Sequence, residues 1–366
     1  MYDIVNIDTT SSSERRLCER LGCPSSLGRA RARRLRARAL EAVATLAGLM
    51  VARVLLASPR GYCAGVERAI DTVEAALEQH GPPVYVRRQI VHNTHVVGDL
   101  EARGAIFVES EREVPEGALL VFSAHGVPPQ AHANAAGRGL RTVDATCPLV
   151  TKVHAEARLF ASLGYTIVLI GHAGHDEIEG TLGEAPDAIV LVQSATEAEH
   201  VRLRQTERLA YLTQTTLSVD DTAEIVAILR RRFPAIVGPK KEDICYATSN
   251  RQHAVKAMLG EIDLLLVIGS ANSSNSNRLV EVARSGGVPA YLIEDERDID
   301  EAWLESVEAV GVTSGASAPE RLVRSVCSWF AALGVTDIRP HRSVAENVSF
   351  KLPLLSAPSV PRVAAR

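Results

Sequence analysis

The chain has 366 residues, of which 46% are hydrophobic and 23% charged, an ordinary composition for a globular protein with one large domain or a few small ones. The formal net charge of −4 and the aromatic content of 4% give no support for a nucleic-acid-binding surface built on positive charge and base stacking. Six widely spaced cysteines do not suggest a disulfide scaffold, so we expect a reducing compartment and a cytoplasmic protein with no nucleic-acid partner.

The N-terminal residues 1–51 differ in composition from the rest of the chain. A basic run, RARARRLRAR, occupies residues 29–38 and is followed by the apolar run Ala39–Ala57, a combination typical of a signal peptide or a membrane anchor. Glu41 and Arg53 interrupt the apolar run, whereas a membrane span needs about 20 mostly apolar residues. We therefore predict a basic, disordered extension over residues 1–51 and no membrane partner.

Three of the cysteines open similar units. Each follows a short apolar strand, and each is followed by apolar residues at helical spacing, such as Val66, Ile70 and Val73 after Cys63. A strand with a polar loop follows each helix, and a second strand with a polar loop comes after it. The predicted strand and cysteine pairs are Val54–Ala57 with Cys63, Arg141–Val143 with Cys147 and Ala235–Val237 with Cys245.

The first polar loop lies at nearly the same distance from the cysteine in every unit. The offsets are 29, 28 and 28 residues (92−63, 175−147 and 273−245) for His92, His175 and Ser273. A looser match joins the second polar loops, which contain His125, Thr215 and Ser317. Self-similarity at a fixed period indicates repeated structural units, so coincidence among ordinary strand–helix units is the less favoured explanation.

The alternation of strands and helices makes each unit a small layer with a parallel sheet. Ligand groups in such sheets gather at the carboxyl ends of the strands, where the cysteines and the polar loops all lie. The sequence therefore predicts an α/β protein of three small parallel-sheet lobes in a pseudo-threefold trefoil, with the functional ends pointing inward. The predicted boundaries are 52–145, 146–243 and 244–333 for the lobes and 334–366 for a C-terminal tail.

The three repeated cysteines suit a shared metal centre. Each begins a helix, whose dipole lowers the thiol pKa and favours the thiolate that ligates metals. Structural zinc sites usually use C-x2–4-C pairs, which these cysteines do not form, and separations of 84 and 98 residues (147−63 and 245−147) suit a cluster shared between lobes. A cubane normally takes four cysteines, but Cys327 fits a helix core. We therefore predict a central iron–sulfur cluster with one iron left open as a Lewis acid for the substrate.

The polar loops carry hydrogen-bond donors that suit a phosphate-rich substrate. Two glycine-rich loops, GHAGH at 171–175 and SGASAP at 314–319, let backbone N–H groups approach an anion. Because these loops lack Lys and Arg, neutral donors and histidines have to hold it. Expelling a hydroxyl as water needs a general acid, for which Glu177 is a candidate, although a plain helix N-terminal role fits its position equally well. The candidate donors are His92, His125, His175, Ser273, Ser274, Asn275 and Ser317.

The region from about Ala52 to Leu354 resembles the 4-hydroxy-3-methylbut-2-enyl diphosphate reductase (LytB) family. The motifs that carry the resemblance are PRGYCAGVERAI, VHN, FSAHGV, DATCPLVTKVH, IGHAGHDEIEGT, TQTTLSVDDT, EDICYATSNRQ, GSANSSNSNRL and GVTSGASAP. The loop after His175 departs from the family in carrying Asp176, where a proline is common, but it keeps the glutamate. The resemblance implies a [4Fe-4S] cluster, one per chain, on Cys63, Cys147 and Cys245.

The resemblance also implies the reaction and the remaining roles. The substrate would be an allylic diphosphate, reduced with two electrons and loss of its hydroxyl to isopentenyl and dimethylallyl diphosphate, the last step of the methylerythritol phosphate route. Thr215 would contact the substrate hydroxyl, Glu177 would be the proton source, and the candidate donors above would bind the diphosphate. Since no G-x-G-x-x-G fingerprint follows the first strand, we expect the electrons from a protein donor, ferredoxin or flavodoxin.

Two other classes of protein stay open on sequence grounds. A dehydratase resembling quinolinate synthase would also combine three lobes with a three-cysteine cluster, but it would consume no electrons. A cluster-based sensor would normally fill the fourth iron position and carry a DNA-binding element. The basic run at 29–38 is the sole candidate for such an element, and it shows no helix-turn-helix pattern.

Overall fold

The strands of residues 51–355, the part of the chain that the computed structural model describes, pair in parallel and form three separate sheets. The predicted extension at 1–51 lies outside these residues, apart from Val51. In chain order the strands are β1 Arg53–Ser58, β2 Val84–Arg87, β3 Ala105–Val108, β4 Leu119–Phe122, β5 Arg141–Asp144, β6 Thr166–Ile170, β7 Ile189–Val192, β8 Leu209–Thr213, β9 Leu264–Ile268, β10 Ala290–Ile293, β11 Ala309–Ser314 and β12 Asp337–Arg342.

Helices connect these strands, as expected for parallel pairs that need crossover connections. The α-helices are α1 Ala64–His80, α2 Thr94–Ala102, α3 Pro129–Gly137, α4 Pro148–Ser162, α5 Asp176–Glu184, α6 Ala195–His200, α7 Val219–Arg232, α8 Tyr246–Met258, α9 Ser274–Ser285 and α10 Glu320–Ala332. Short 3-10 helices span Glu111–Glu113, Leu259–Glu261, Glu296–Asp298 and Glu301–Leu304.

Several strands are apolar and buried along their whole length. The strands β4 (LLVF) and β9 (LLLVI) are buried at every position, which is expected because helices cover both faces of a parallel sheet. The helix α1 buries an apolar stripe that includes Val66, Ile70 and Val73 against side chains of β2 and β4. Burying each such side chain contributes roughly 1.5–3 kcal/mol, so the stripe fixes the helix that begins after Cys63.

Each sheet begins with three strands in the same spatial order, in which the first strand along the chain lies between the second and the third. This confirms the predicted three-lobe α/β architecture. The orders are β3-β2-β4-β5, β7-β6-β8 and β10-β9-β11-β1-β12. The strand β5 pairs with β4, the third strand of its sheet, and leads directly to Cys147. In the same way, β1 pairs with β11, the third strand of its sheet, and leads to Cys63. In the second sheet the equivalent segment is a single bridge, between Val237 and Ala210 beside β8. The chain therefore leaves each sheet beside its third strand and enters the next cysteine helix.

The predicted lobe boundaries differ from the sheets at both ends of the described region. The strand β1 falls within the predicted lobe 52–145 but pairs with β11 and β12 of the third sheet. The predicted tail, 334–366, contains β12, whose register with β1 runs from Arg53↔Asp337 to Ser58↔Arg342. The apolar pattern of β1 reveals a strand but not its partners, because both partners lie more than 250 residues further along the chain (309−53 = 256).

None of the helices between residues 51 and 355 combines the length and the apolar character that crossing a membrane requires.

Candidate active site

Each repeated cysteine is the N-cap residue of a helix: Cys63 of α1, Cys147 of α4 and Cys245 of α8. Each backbone N–H donates a hydrogen bond to a carbonyl in the loop after the third strand of a sheet. The three bonds are Cys63 N to Ala316 O at 3.2 Å, Cys147 N to Ala124 O at 2.9 Å and Cys245 N to Thr215 O at 3.0 Å. The fold therefore attaches every cysteine to one of the polar loops that the repeat analysis identified.

The twelve residues that the sequence analysis selected all line one cavity. They are Cys63, His92, His125, Cys147, His175, Glu177, Thr215, Cys245, Ser273, Ser274, Asn275 and Ser317. Apolar side chains, among them Val91, Leu149 and Phe350, complete the lining. The cavity thus combines a thiol set, a hydrogen-bonding set and an apolar surface that suits an alkyl group.

Burial dominates the chemistry of the three thiols. It raises the pKa of Cys63, that of Cys147 to about 12 and that of Cys245 to about 11, whereas backbone N–H groups at the helix starts lower them. The helix starts therefore act on the thiol pKa values in the expected direction, but burial outweighs them in the metal-free protein. A metal that binds here has to displace three protons, which makes its binding depend on pH.

The three thiols are not gathered as closely as the ligands of a single ion. Within residues 51–355, one group of three metal-ligating side chains has its ligand atoms within 4.8 Å of one another. It consists of His92, His125 and Asp176, so the three cysteines do not form such a group. The three thiols are therefore more widely spread than ligands of one zinc, whose Zn–S bonds of about 2.3 Å hold sulfur atoms closer together than twice that length. Cys327 lies on α10 and does not line the cavity, so the described residues offer three thiols and no fourth.

Gly65 is a close-packed position beside the thiols that the sequence analysis missed. A Cβ atom at this residue would lie 2.7 Å from Sγ of Cys147 and 3.8 Å from Sγ of Cys63. The missing side chain therefore keeps open the space in which two of the thiols face each other. The signal in the sequence is a glycine in the first turn of a helix, where it costs about 1 kcal/mol relative to alanine and needs a reason.

We expect Gly65→Ala to lose most of its iron, because the added methyl group collides with the Cys147 sulfur. The measurement is iron per chain and visible absorbance after anaerobic reconstitution. The matched control is Gly98→Ala in α2, where a Cβ atom meets nothing within 4 Å. Equal iron content in the two variants would show that this space is not needed for the cluster.

Three histidines from three different strand ends meet at one side of the cavity. The rings of His92 and His125 are stacked, with centroids 3.9 Å apart and an interplanar angle of 17°. The ring of His175 stands edge-on to both, at 5.5 Å and 5.9 Å. The structure therefore brings together two imidazoles from the first polar loops, those of His92 and His175, and one from a second polar loop, that of His125.

These histidines are neutral near pH 7. Burial lowers the pKa of His92, lowers that of His175 to about 4 and lowers that of His125 well below its usual value. Nδ1 of His175 accepts a hydrogen bond from the backbone N–H of Glu177 at 3.2 Å, so the neutral ring carries its proton on Nε2 and can donate from there. Nδ1 of His125 is buried and has no hydrogen-bond partner within the described region, a state that costs about 1–3 kcal/mol unless a ligand relieves it.

A cation that the sequence analysis overlooked lies behind the histidines. Arg88, at the end of β2, pairs with Asp176 and, at 2.7 Å, with Glu179. The carboxylate of Asp176 lies 3.8 Å from Nδ1 of His125 and 4.0 Å from Nε2 of His92. The guanidinium of Arg88 therefore offsets a negative charge that would otherwise oppose an anion at the histidines.

The serine-rich loop forms the start of α9, where backbone N–H groups without intrahelical partners favour an anion. Ser273 is the N-cap, and its Oγ accepts from the backbone N–H of Ser276 at 3.4 Å. Asn275 accepts from Ala316 N at 3.0 Å through Oδ1, which ties the loop to the neighbouring one. Ser317 Oγ donates to the carbonyl of His92 at 2.9 Å and so joins the serine loops to the histidines.

Glu177 is buried, with 2% of its surface exposed, and its carboxylate bonds only to Thr215 within the described residues. Oε1 accepts from the backbone N–H of Thr215 at 2.6 Å, and Oε2 lies 3.0 Å from the Thr215 hydroxyl. Burial raises the pKa of Glu177 to about 7 against the opposing effect of these two hydrogen bonds, and nearby Asp243 adds to the rise. The carboxyl can therefore hold a proton at neutral pH and pass it to the threonine hydroxyl.

Comparison with known proteins gives a consistent family. A family model described as LytB protein matches residues 54–331. The 4-hydroxy-3-methylbut-2-enyl diphosphate reductases of Acidothermus cellulolyticus and Mycolicibacterium paratuberculosis are each 60% identical to this chain over 302 residues, which is 82% of this chain and 89% and 91% of theirs. Among solved structures, the E-1-hydroxy-2-methyl-but-2-enyl-4-diphosphate reductase of Plasmodium falciparum matches with a TM-score of 0.79 and 40% identity, covering 83% of this chain and 96% of that one.

Proposed function

Because the chain belongs to the LytB family and is a 4-hydroxy-3-methylbut-2-enyl diphosphate reductase, the terminal enzyme of the non-mevalonate pathway, we propose that the residues of its cavity divide into an iron–sulfur site, a diphosphate site and a proton source. One observation carries this proposal. Three thiols, three neutral histidines and a buried protonatable carboxyl line the same cavity. Each set serves one of the needs of a two-electron removal of a hydroxyl from a diphosphate ester.

The family is iron–sulfur dependent, and Cys63, Cys147 and Cys245 would hold one [4Fe-4S] cluster per chain. When bound, the cluster supplies electrons and an iron without a cysteine ligand, because three thiols leave one of four positions open. The electrons come from a protein donor such as ferredoxin or flavodoxin, and the enzyme works in the cytoplasm. The wide thiol spacing and the space beside Gly65 support this assignment.

The diphosphate would be held by neutral donors from all three lobes. The histidine rings can donate to it, and so can the first N–H groups of α9, whose first residues line the same cavity. The hydroxyls of the serine loop can rotate from their present partners to the phosphate oxygens. The residues in this role are His92, His125, His175, Ser273, Ser274, Asn275 and Ser317.

The proton that turns the leaving hydroxyl into water would come from Glu177 by way of the Thr215 hydroxyl. The carboxyl lies 3.0 Å from that hydroxyl, a distance at which a proton can pass along a hydrogen bond. Overall, the carbon–oxygen bond breaks, two electrons enter, one proton leaves with the oxygen as water and one is added to the allylic carbon. The burial of Glu177 keeps the proton available at neutral pH.

We expect anaerobic protein to oxidise reduced viologen only when the allylic diphosphate is present, with both isopentenyl and dimethylallyl diphosphate formed. A dehydratase would consume no electrons, so an absence of substrate-dependent viologen oxidation would overturn the proposal.

Turnover should also fall as the pH rises through about 7, because Glu177 donates only when protonated and its protonated fraction falls above its pKa. A rate that is unchanged between pH 6 and 9 would contradict the role of Glu177.

A further inference from the structure

Each cysteine-bearing helix carries a basic side chain that reaches to the loop of the next cysteine. These residues are Arg68 on α1, Lys152 on α4 and Arg251 on α8. They follow their own cysteines by 5, 5 and 6 residues (68−63, 152−147 and 251−245). All three lie in sequence motifs that resemble the family. None of them is a proposed cluster ligand or part of the proposed diphosphate site.

Arg68 connects the Cys63 helix to Cys147. Its Nη1 donates to the carbonyl of Thr146 at 3.0 Å, and Thr146 is the residue immediately before Cys147. Its Nε donates to the carbonyl of Lys351 at 2.8 Å, which holds the guanidinium from the other side. The position of the Cys147 loop is therefore set from the helix of a different cysteine.

Lys152 connects the Cys147 helix to Cys245. Its Nζ donates to the carbonyl of Lys241 at 2.6 Å and pairs with Oδ1 of Asp243, also at 2.6 Å. The other oxygen of Asp243 accepts from the backbone N–H of Thr213 at 3.0 Å, and the carboxylate is buried. One ammonium group thus fixes the segment that ends two residues before Cys245.

Arg251 closes the ring by connecting the Cys245 helix to Cys63. Its Nη2 donates to the carbonyl of Gly61 at 2.6 Å and to that of Tyr62 at 3.3 Å, the two residues before Cys63. The side chain has no exposed surface and pairs with Glu346 at 3.0 Å. A buried guanidinium is costly to desolvate, so its retention at this position calls for a function.

From this juxtaposition we propose that Arg68, Lys152 and Arg251 form a cyclic set of positioning residues, termed here the cation ring, that holds the three cysteines at the spacing the cluster needs. This inference rests on the proposed cluster site. Other basic residues of the same helices behave differently, since Lys256 on α8 reaches outward to the exposed carboxylate of Asp220. Arg68 adds positive charge near the thiols, and Lys152 and Arg251 offset the carboxylates of Asp243 and Glu346 there, which favours the reduced and more negative cluster.

The first test uses cluster-free protein and backbone hydrogen exchange, followed by mass spectrometry of peptides. We expect Arg68→Met to speed exchange around Cys147, and Lys152→Met to speed exchange around Cys245, by about 10- to 100-fold for the loss of hydrogen bonds from a charged donor. Exchange around the cysteine of the same helix should change little. The variants Arg68→Lys and Lys152→Arg should restore part of the protection, and Lys256→Met is the matched control.

The second test uses the cluster-loaded protein. We expect about 10- to 100-fold faster cluster loss to a chelator in Arg68→Met and Lys152→Met, the range typical of residues that orient metal ligands, together with a more negative reduction potential. Arg251→Met should also lose its cluster faster, with Cys63 as the affected cysteine. If Arg251→Met fails to fold, the results for Arg68→Met and Lys152→Met decide whether the cation ring exists. Parent-like exchange at the next cysteine in both variants would overturn the cation ring. Parent protein that takes up no iron would instead overturn the proposed function, while the exchange result would still stand.

Discussion

Protein carrying Cys147→Ser, purified without oxygen, is expected to be colourless, with iron falling from the four per chain of a cubane to background and with all turnover lost. A serine hydroxyl does not ionise in a buried site and is a poor ligand for iron. The described residues offer three thiols at the cavity, so no other cysteine among them can take the vacant position. The measurements are iron and acid-labile sulfide per chain, visible absorbance and the viologen assay.

The matched control for this loss is Cys327→Ser. Cys327 is partly buried on α10 and does not line the cavity, so its replacement should leave iron content and turnover unchanged. The variants Cys63→Ser and Cys245→Ser should behave like Cys147→Ser, since each removes one of three equivalent N-cap ligands. A full cluster in Cys147→Ser would contradict the three-thiol site.

The repeat in the sequence was sufficient to predict three lobes and the residues of their polar loops. Helical periodicity after Cys63 and polar residues at constant offsets are local signals, and parallel sheets gather their strand ends at one edge. These local signals could not predict which strands pair with β1, because its partners lie at the far end of the chain. The pattern predicts that a segment is a strand but does not specify its neighbours.

Residues whose importance depends on distant groups were also missed. Gly65 matters because the sulfur of Cys147, which comes from another lobe, lies against it. Arg88 matters because it neutralises Asp176, whose carboxylate lies within 4.0 Å of two of the histidine rings. The net pKa of the thiols could not be predicted, since the helix start that lowers it is visible in the sequence whereas the burial that raises it is not. Sequence spacing therefore predicted which residues meet at the cavity, while their charge and access required the folded structure.

The proton source is the least replaceable of the proposed roles. The three histidines are neutral near pH 7, because burial lowers their pKa values, and a neutral imidazole is a weak acid. The hydroxyl of Thr215 is also a weak acid and needs a partner that restores its proton. Glu177 has its pKa raised to about 7 by burial and contacts that hydroxyl, so it is the group whose proton is both available and in place.

Glu177→Gln is therefore expected to lower turnover by at least the roughly 10²- to 10⁴-fold typical of a lost general acid. The glutamine oxygen can still accept from the backbone N–H of Thr215, so cluster spectra and substrate binding should be retained. Thr215→Val should lose less activity than Glu177→Gln if the hydroxyl only relays the proton. In the residual activity of Glu177→Gln, the fall in rate above pH 7 should disappear. Near-parent turnover in Glu177→Gln would place the acid elsewhere, with His175 the next group to test because it lies two residues away at the same helix start.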